Sequence, residues 1–194
     1  TMPKKKTTWK TFESEDFIIN LPDTFIGGQP SRDRKTLKEE VKTLPDDIRS
    51  IYSNLFAQRN FAFLAADRAF NNEMTSLSCL VVLPESIPFF QFKSNIERYI
   101  RTVKKNLGRS FSTVEEEYFD FHGIPAARLL SAQYPSKSRK NPQPEVARKH
   151  LLYVFRLPKH YWTFDFIADA SVFDKLKPTF EESIKSLVFA KNTK

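Results

Sequence analysis

A chain of 194 residues, 40% hydrophobic and 28% charged, has the size and balance of one ordinary globular domain, with two small ones as the outer limit. Its 4 glycines argue against a glycine-rich phosphate loop or a repeat array, and its single cysteine excludes an internal disulfide. The formal net charge of +8 attracts polyanions such as nucleic acid, anionic lipid or an acidic protein, although solubility alone accounts for it equally well.

Residues 1–8, opening Thr1-Met2-Pro3-Lys4-Lys5-Lys6, are polar and basic and read as a disordered segment. The remainder, 9–194, reads as a single domain. Phe12, Phe17, Ile19 and Leu21 alternate with polar positions and predict a strand that Pro22 ends. Phe25 to Pro30 reads as a turn. Ser31 to Asn60 reads as helical, with Leu37, Val41 and Leu44 in one piece and Ile48, Ile51, Tyr52, Leu55 and Phe56 in the next. Pro45 divides them and suits the first turn of the second piece. Phe61 to Asp67 and Ser76 to Leu83 predict a hairpin around Asn71-Asn72.

Ser94 to Leu107 is the clearest helix. Ile96, Tyr99, Ile100, Val103 and Leu107 form one apolar stripe, and Gly108 is placed to stop it. Phe111 to Tyr134 predicts two strands about the turn His122-Gly123-Ile124-Pro125. Pro135 to Pro144 reads as a mobile basic loop. Val146 to Phe155 and Tyr161 to Ala168 predict another hairpin. Val172 to Phe189 reads as a helix with a short tail, and Pro178 as a residue near its start or at a kink. The fold class that follows is α+β, an antiparallel sheet with helices packed on its faces. No apolar run approaches the roughly 18 residues that span a bilayer, and no signal peptide is visible.

Catalytic chemistry is not signalled. The nucleophile elbow, the Walker loop and the dinucleotide fingerprint are all absent from the sequence. Cys79 lies in the apolar run Leu77 to Leu83 and reads as a small core residue. His122, His150 and His160 are not at metal-ligand spacings from one another. His122 and His160 fall at predicted turns, which leaves open a metal site assembled from either with Asp165 or Asp169. In Glu115-Glu116-Glu117 the outer two share one strand face about 7 Å apart. Such a pair can do acid–base work, but a solvated sheet face is the plainer reading. The chain therefore reads as not an enzyme, with no catalytic, cofactor or metal residues assigned.

The basic clusters carry more. Arg98, Arg101, Lys104, Lys105 and Arg109 share the polar side of the clearest helix, and Lys137, Arg139 and Lys140 lie in the following basic loop. Together they form the candidate docking surface. Lys4-Lys5-Lys6 and Arg148-Lys149 are further clusters. Little aromatic interleaving accompanies any of them, which argues against nucleic acid as the partner.

The stretch Trp9-Lys10-Thr11-Phe12-Glu13-Ser14-Glu15-Asp16-Phe17-Ile18-Ile19-Asn20-Leu21-Pro22-Asp23-Thr24-Phe25 opens with a strand running into a Leu-Pro-x-x-Phe turn. The end, Phe180 to Phe189, is a helix running into Ser186-Leu187-Val188-Phe189. This pairing resembles the PsbP/Mog1/DcrB-like superfamily, whose members close with a helix running into a short strand, and the order of elements between fits it. Phe25 stands where that family commonly has Trp, and the helical segment at 31–60 is longer than expected. The resemblance implies an α/β/α sandwich and a non-enzymatic accessory or binding role. Its bacterial and thylakoid branches are typically exported, often as lipoproteins, and support membrane complexes. Its nuclear branch binds a small GTPase. No functional residue of the family maps onto this chain.

The expectation is an accessory protein tethered outside the cytoplasm through a segment upstream of this chain, with an acidic or membrane-associated protein partner. Polyanion binding, or an intracellular GTPase-binding role in the cytosol or nucleus, are the alternatives.

Overall fold

A computed structural model describes residues 7–43, 46, 49, 61–68, 77–88, 95–108, 110–135 and 145–190. The elements in chain order are β1 (Trp9–Glu13), β2 (Phe17–Pro22), β3 (Phe25–Gly28), α1 (Arg34–Val41), β4 (Phe63–Asp67), β5 (Ser78–Ser86) and α2 (Ile96–Leu107). They continue with β6 (Phe111–Phe121), β7 (Ile124–Gln133), β8 (Arg148–Arg156), β9 (His160–Asp169), α3 (Ala170–Lys185) and β10 (Val188–Phe189).

A seven-stranded sheet, ordered β3-β4-β5-β9-β8-β7-β6, carries the molecule, and a smaller one of order β1-β2-β10 packs on it. Every ladder is antiparallel. Alternation along the strands sends Phe155, Trp162, Phe164 and Phe166 to one face, where they meet Phe17, Ile19 and Leu21 of β2 and Phe173, Leu176 and Phe180 of α3. The phenylalanines pack edge to face, as ring quadrupoles favour: Phe17 lies 4.9 Å from Phe164 and 5.6 Å from Phe63. The opposite face holds two smaller cores. Val41 of α1 joins Leu64, Cys79 and Val81 in one, and Ile96 and Ile100 of α2 join Leu129, Leu152 and Val154 in the other. Helices thus cover both faces of an antiparallel sheet, as the α+β reading requires.

The local departures have local causes. The first predicted strand is two strands, because the Ser14 hydroxyl accepts the N–H groups of Asp16 at 3.2 Å and Phe17 at 3.0 Å and turns the chain between them. The predicted turn at Phe25 is the edge strand β3, in which Gly27 faces Ala65 so closely that a Cβ would strike the Leu64 carbonyl. Pro178 lies inside α3, which begins earlier than expected, at Ala170. The tail after that helix is strand β10, paired with Phe17 and Ile18 of β2. Of the helical reading at 31–60, α1 covers Arg34–Val41. Pro45 and the apolar positions after it lie outside the described residues, as do the Asn71-Asn72 turn and 136–144 of the basic loop.

Candidate docking surface

Helix α2 is built to stay in place. The Asn95 side chain accepts the Arg98 N–H at 3.1 Å and caps its start. Gly108 ends it with a φ of 73°, a conformation open chiefly to glycine. Ile96 and Ile100 are buried against the sheet. Tyr99 stacks on Tyr161 of β9 with ring centres 3.8 Å apart, and its hydroxyl donates to Glu85 of β5 at 2.7 Å. Burial first, and then the Glu85 carboxylate, push the Tyr99 hydroxyl far above the ordinary tyrosine value.

With the apolar stripe fixed inward, Arg98, Arg101, Lys104 and Lys105 face solvent. They are not equivalent. Lys104 is held by Glu116 of β6 at 2.6 Å. The hydrogen bonds of Lys104 and Tyr118, and the Lys104 charge, keep the Glu116 carboxyl below the usual glutamate range against the effect of burial. The Tyr118 hydroxyl is pushed up to about 12, by burial first and then by its bond to Glu116, while Arg101 acts the other way. Lys104 therefore clamps the helix to the edge strand. Arg98, Arg101 and Lys105 make no ion pair with a described residue, and the exposed Tyr118 lies near Arg101.

Arg109, Lys137, Arg139 and Lys140 lie outside the described residues. Their described neighbours do meet: the Tyr134 N–H donates to the Ser110 carbonyl at 2.8 Å, and Phe111 pairs with Gln133. The end of α2 and the start of the basic loop thus leave the sheet at the same place.

The other clusters read from the sequence are spent inside the fold. Arg148 and Lys149 point to opposite faces, where Arg148 binds Asp169 at 3.4 Å and Lys149 binds Asp174 at 2.9 Å. Glu115 binds Arg128 at 2.9 Å and Lys177 at 3.5 Å, and Arg128 also holds Glu181 at 3.1 Å. Burial raises the Glu115 carboxyl, but the Arg128 hydrogen bond and the two cations outweigh it and hold the group below the usual range. A carboxylate locked in its charged form by two cations is a poor general acid, so the run Glu115 to Glu117 ties β6 to β7 and α3.

The histidine reading needs correction. His160 and Asp165 lie on the same strand five positions apart, and so do not share a face. The same parity separates His160 from Asp169. His122 sits in the β6–β7 turn, in the left-handed region at φ 55°. Among the described residues no group of three His, Cys, Asp or Glu side chains is placed to hold a metal. Asp165 is instead engaged by His150, which was not singled out as a site residue. The His150 Nδ1 lies 2.9 Å from Asp165 Oδ2 and its Nε2 lies 3.2 Å from Gln133 Oε1. Phe111 packs edge-on at 5.2 Å. With both ring nitrogens engaged, His150 joins β7, β8 and β9 and offers no free nitrogen to a substrate. The signal in the sequence was polar letters at inward positions of otherwise apolar strands, Lys149-His150-Leu151 and Phe164-Asp165-Phe166.

No family model and no curated protein sequence matches the chain. Solved structures do. The fold is similar to the solution structure of cyanobacterial PsbP (CyanoP) from Synechocystis sp. PCC 6803, with a TM-score of 0.59 and 15% identity over 96% of this chain and 95% of that one. It is also similar to the Ran-binding protein Mog1p of Saccharomyces cerevisiae, with a TM-score of 0.54 and 11% identity over 94% and 96%. At such identities the likeness shows the fold alone: the chain has the fold that these PsbP and Mog1p structures share.

Proposed function

We propose that this chain is a non-enzymatic binding protein that docks an acidic protein surface through the outer face of α2. The observation that carries this is the row Arg98, Arg101 and Lys105, exposed and without ion-pair partners among the described residues, on a helix anchored at both ends and along its length. Three cations on a rigid element lose little entropy on docking and steer an acidic partner toward the site. Arg109, Lys137, Arg139 and Lys140, which the sequence reading assigns to the same surface, lie outside the described residues. That one protein of this fold is named for binding Ran supports a protein partner. The terminal motifs resemble a superfamily whose bacterial and thylakoid branches are typically exported, which supports a site outside the cytoplasm, on a membrane complex. A signal sequence in the full reading frame and fractionation with the membrane would test that setting.

The docking surface is tested by the triple variant Arg98→Glu, Arg101→Glu, Lys105→Glu. It folds like the parent, because all three side chains are exposed, and it loses the partner that the parent captures. A variant that captured the same partner with unchanged affinity would exclude this surface.

A further inference from the structure

Strand β1 forms one edge of the small sheet, and four of its five residues, Trp9, Lys10, Thr11 and Glu13, are exposed. The other edges are blunted. β6 carries a bulge and three glutamates, β10 is two residues long, and β3 is four residues long with two glycines. β1 has neither bulge nor proline. An unpaired strand edge is a row of free N–H and C=O groups, and the residues that own them follow from the ladder.

The Asp23 N–H donates to the Thr8 carbonyl and the Ser14 N–H to the Phe17 carbonyl, both at 2.9 Å. Both bonds fall in the register that pairs β1 with β2, so the even-numbered residues of β1 bond to β2. The Asn20 N–H, opposite Thr11, turns away from β1 to the Ser186 hydroxyl at 2.8 Å. The backbone groups of Trp9, Thr11 and Glu13 therefore point out of the sheet. Among the described residues they have one partner, the Arg32 guanidinium, which donates to the Glu13 carbonyl at 3.2 Å and leaves that oxygen a second lone pair.

We infer that β1 pairs antiparallel with β1 of a second copy of this chain, about a two-fold axis at Thr11, and joins the two small sheets into one. The strand is complementary to itself in that register. Trp9 faces Glu13 of the second copy and Thr11 faces Thr11, so all the outward backbone groups meet, in about six hydrogen bonds. On the inner face Lys10 meets Phe12 of the second copy, repeating the approach it makes at 5.0 Å to its own Phe12. A register shifted by one residue sets outward groups against groups already bonded to β2. A shift by two either opposes Lys10 to Lys10, like charge to like, or leaves only Thr11 and Glu13 paired within the strand. This match of the strand to itself commits the edge to a second copy rather than to an unrelated strand. Helix α2 lies on the other face of the large sheet from the small one, so the inference stands whether or not α2 docks a protein.

Sedimentation of the parent from micromolar to millimolar concentration is expected to show a monomer–dimer equilibrium. Thr11→Pro tests the edge itself. The proline ring removes an N–H that points outward, so the β1–β2 ladder and the melting curve are kept. By symmetry two bonds at the axis are lost, and dimerisation weakens on the order of thirtyfold. Thr11→Cys is expected to give a disulfide-linked dimer under mild oxidation, because residues opposed at the axis have Cα atoms about 5.5 Å apart. Lys185→Cys, at an exposed position on α3, is expected to give none. The native Cys79 is buried and takes no part. The α2 triple variant dimerises as the parent does. The inference is overturned if the parent stays monomeric, whether or not an unrelated extended peptide then adds to β1. It is overturned equally if Thr11→Pro dimerises as the parent does, or if Thr11→Cys dimerises without crosslinking.

Discussion

Asp165 shows how one residue can be read correctly as chemistry and wrongly as a site. Its strand neighbours Phe164 and Phe166 face the phenylalanine core, while its own carboxylate, 15% exposed, lies on the other face beside Leu152, where an unpaired charge would be costly, so it must have a partner. Which partner depends on strand pairing. Leu152 stands directly opposite Asp165, and that brings His150, two residues along β8 and on the same face, within 2.9 Å. Nothing local to Asp165 names a residue fifteen positions away. Removing the carboxylate leaves the His150 Nδ1 buried beside a void. Asp165→Ala is therefore expected to cost about 2 kcal/mol of folding stability, seen as a lower urea midpoint with an unchanged slope. Asp165→Asn, which keeps an acceptor, is expected to cost less. Equal losses for both would assign the effect to packing instead.

The elements themselves divide by range. Helix α2 was legible because its stripe and its terminal Gly108 are local signals, and the β6–β7 hairpin was legible for the same reason. Strand β10 was not. It is two residues long and exists only because Val188 and Phe189 meet β2, some 170 residues earlier in the chain. Strand β6, at the edge of the large sheet, carries a bulge at Val114 and three glutamates, features that discourage pairing with another chain. Its Glu115 and Glu116 clamp the strand to α3 and α2 through Lys177 and Lys104. Both carboxyls are held below their ordinary value of 4.5. A depressed folded-state value contributes stability above pH 4.5 that is lost as the pH falls through the lowered one. The double variant Glu115→Gln, Glu116→Gln is accordingly expected to be less stable than the parent at neutral pH and to lose less of its stability on acidification. Melting temperatures across the acid range check it, and parallel curves for the two proteins would rule the clamp out.

For the whole molecule, the layered architecture followed from the order of strands and helices together with the terminal motifs. The candidate site followed only in part. Charge clusters in the sequence count cations without showing which are already matched. The fold removes Lys104, Arg148 and Lys149 from the list, because β6, β9 and α3 bring acids to them. Arg98, Arg101 and Lys105 meet no such acid among the described residues. A photo-crosslinking residue at Thr102, exposed between Arg98 and Lys105, tests the central claim most directly, with the same residue at exposed Lys185 on α3 as the control. The account predicts one discrete protein adduct from position 102, absent from position 185, fading with added salt and lost with the three α2 charge reversals. Adducts of equal yield from both positions, or one at 102 that survives the reversals, would contradict it.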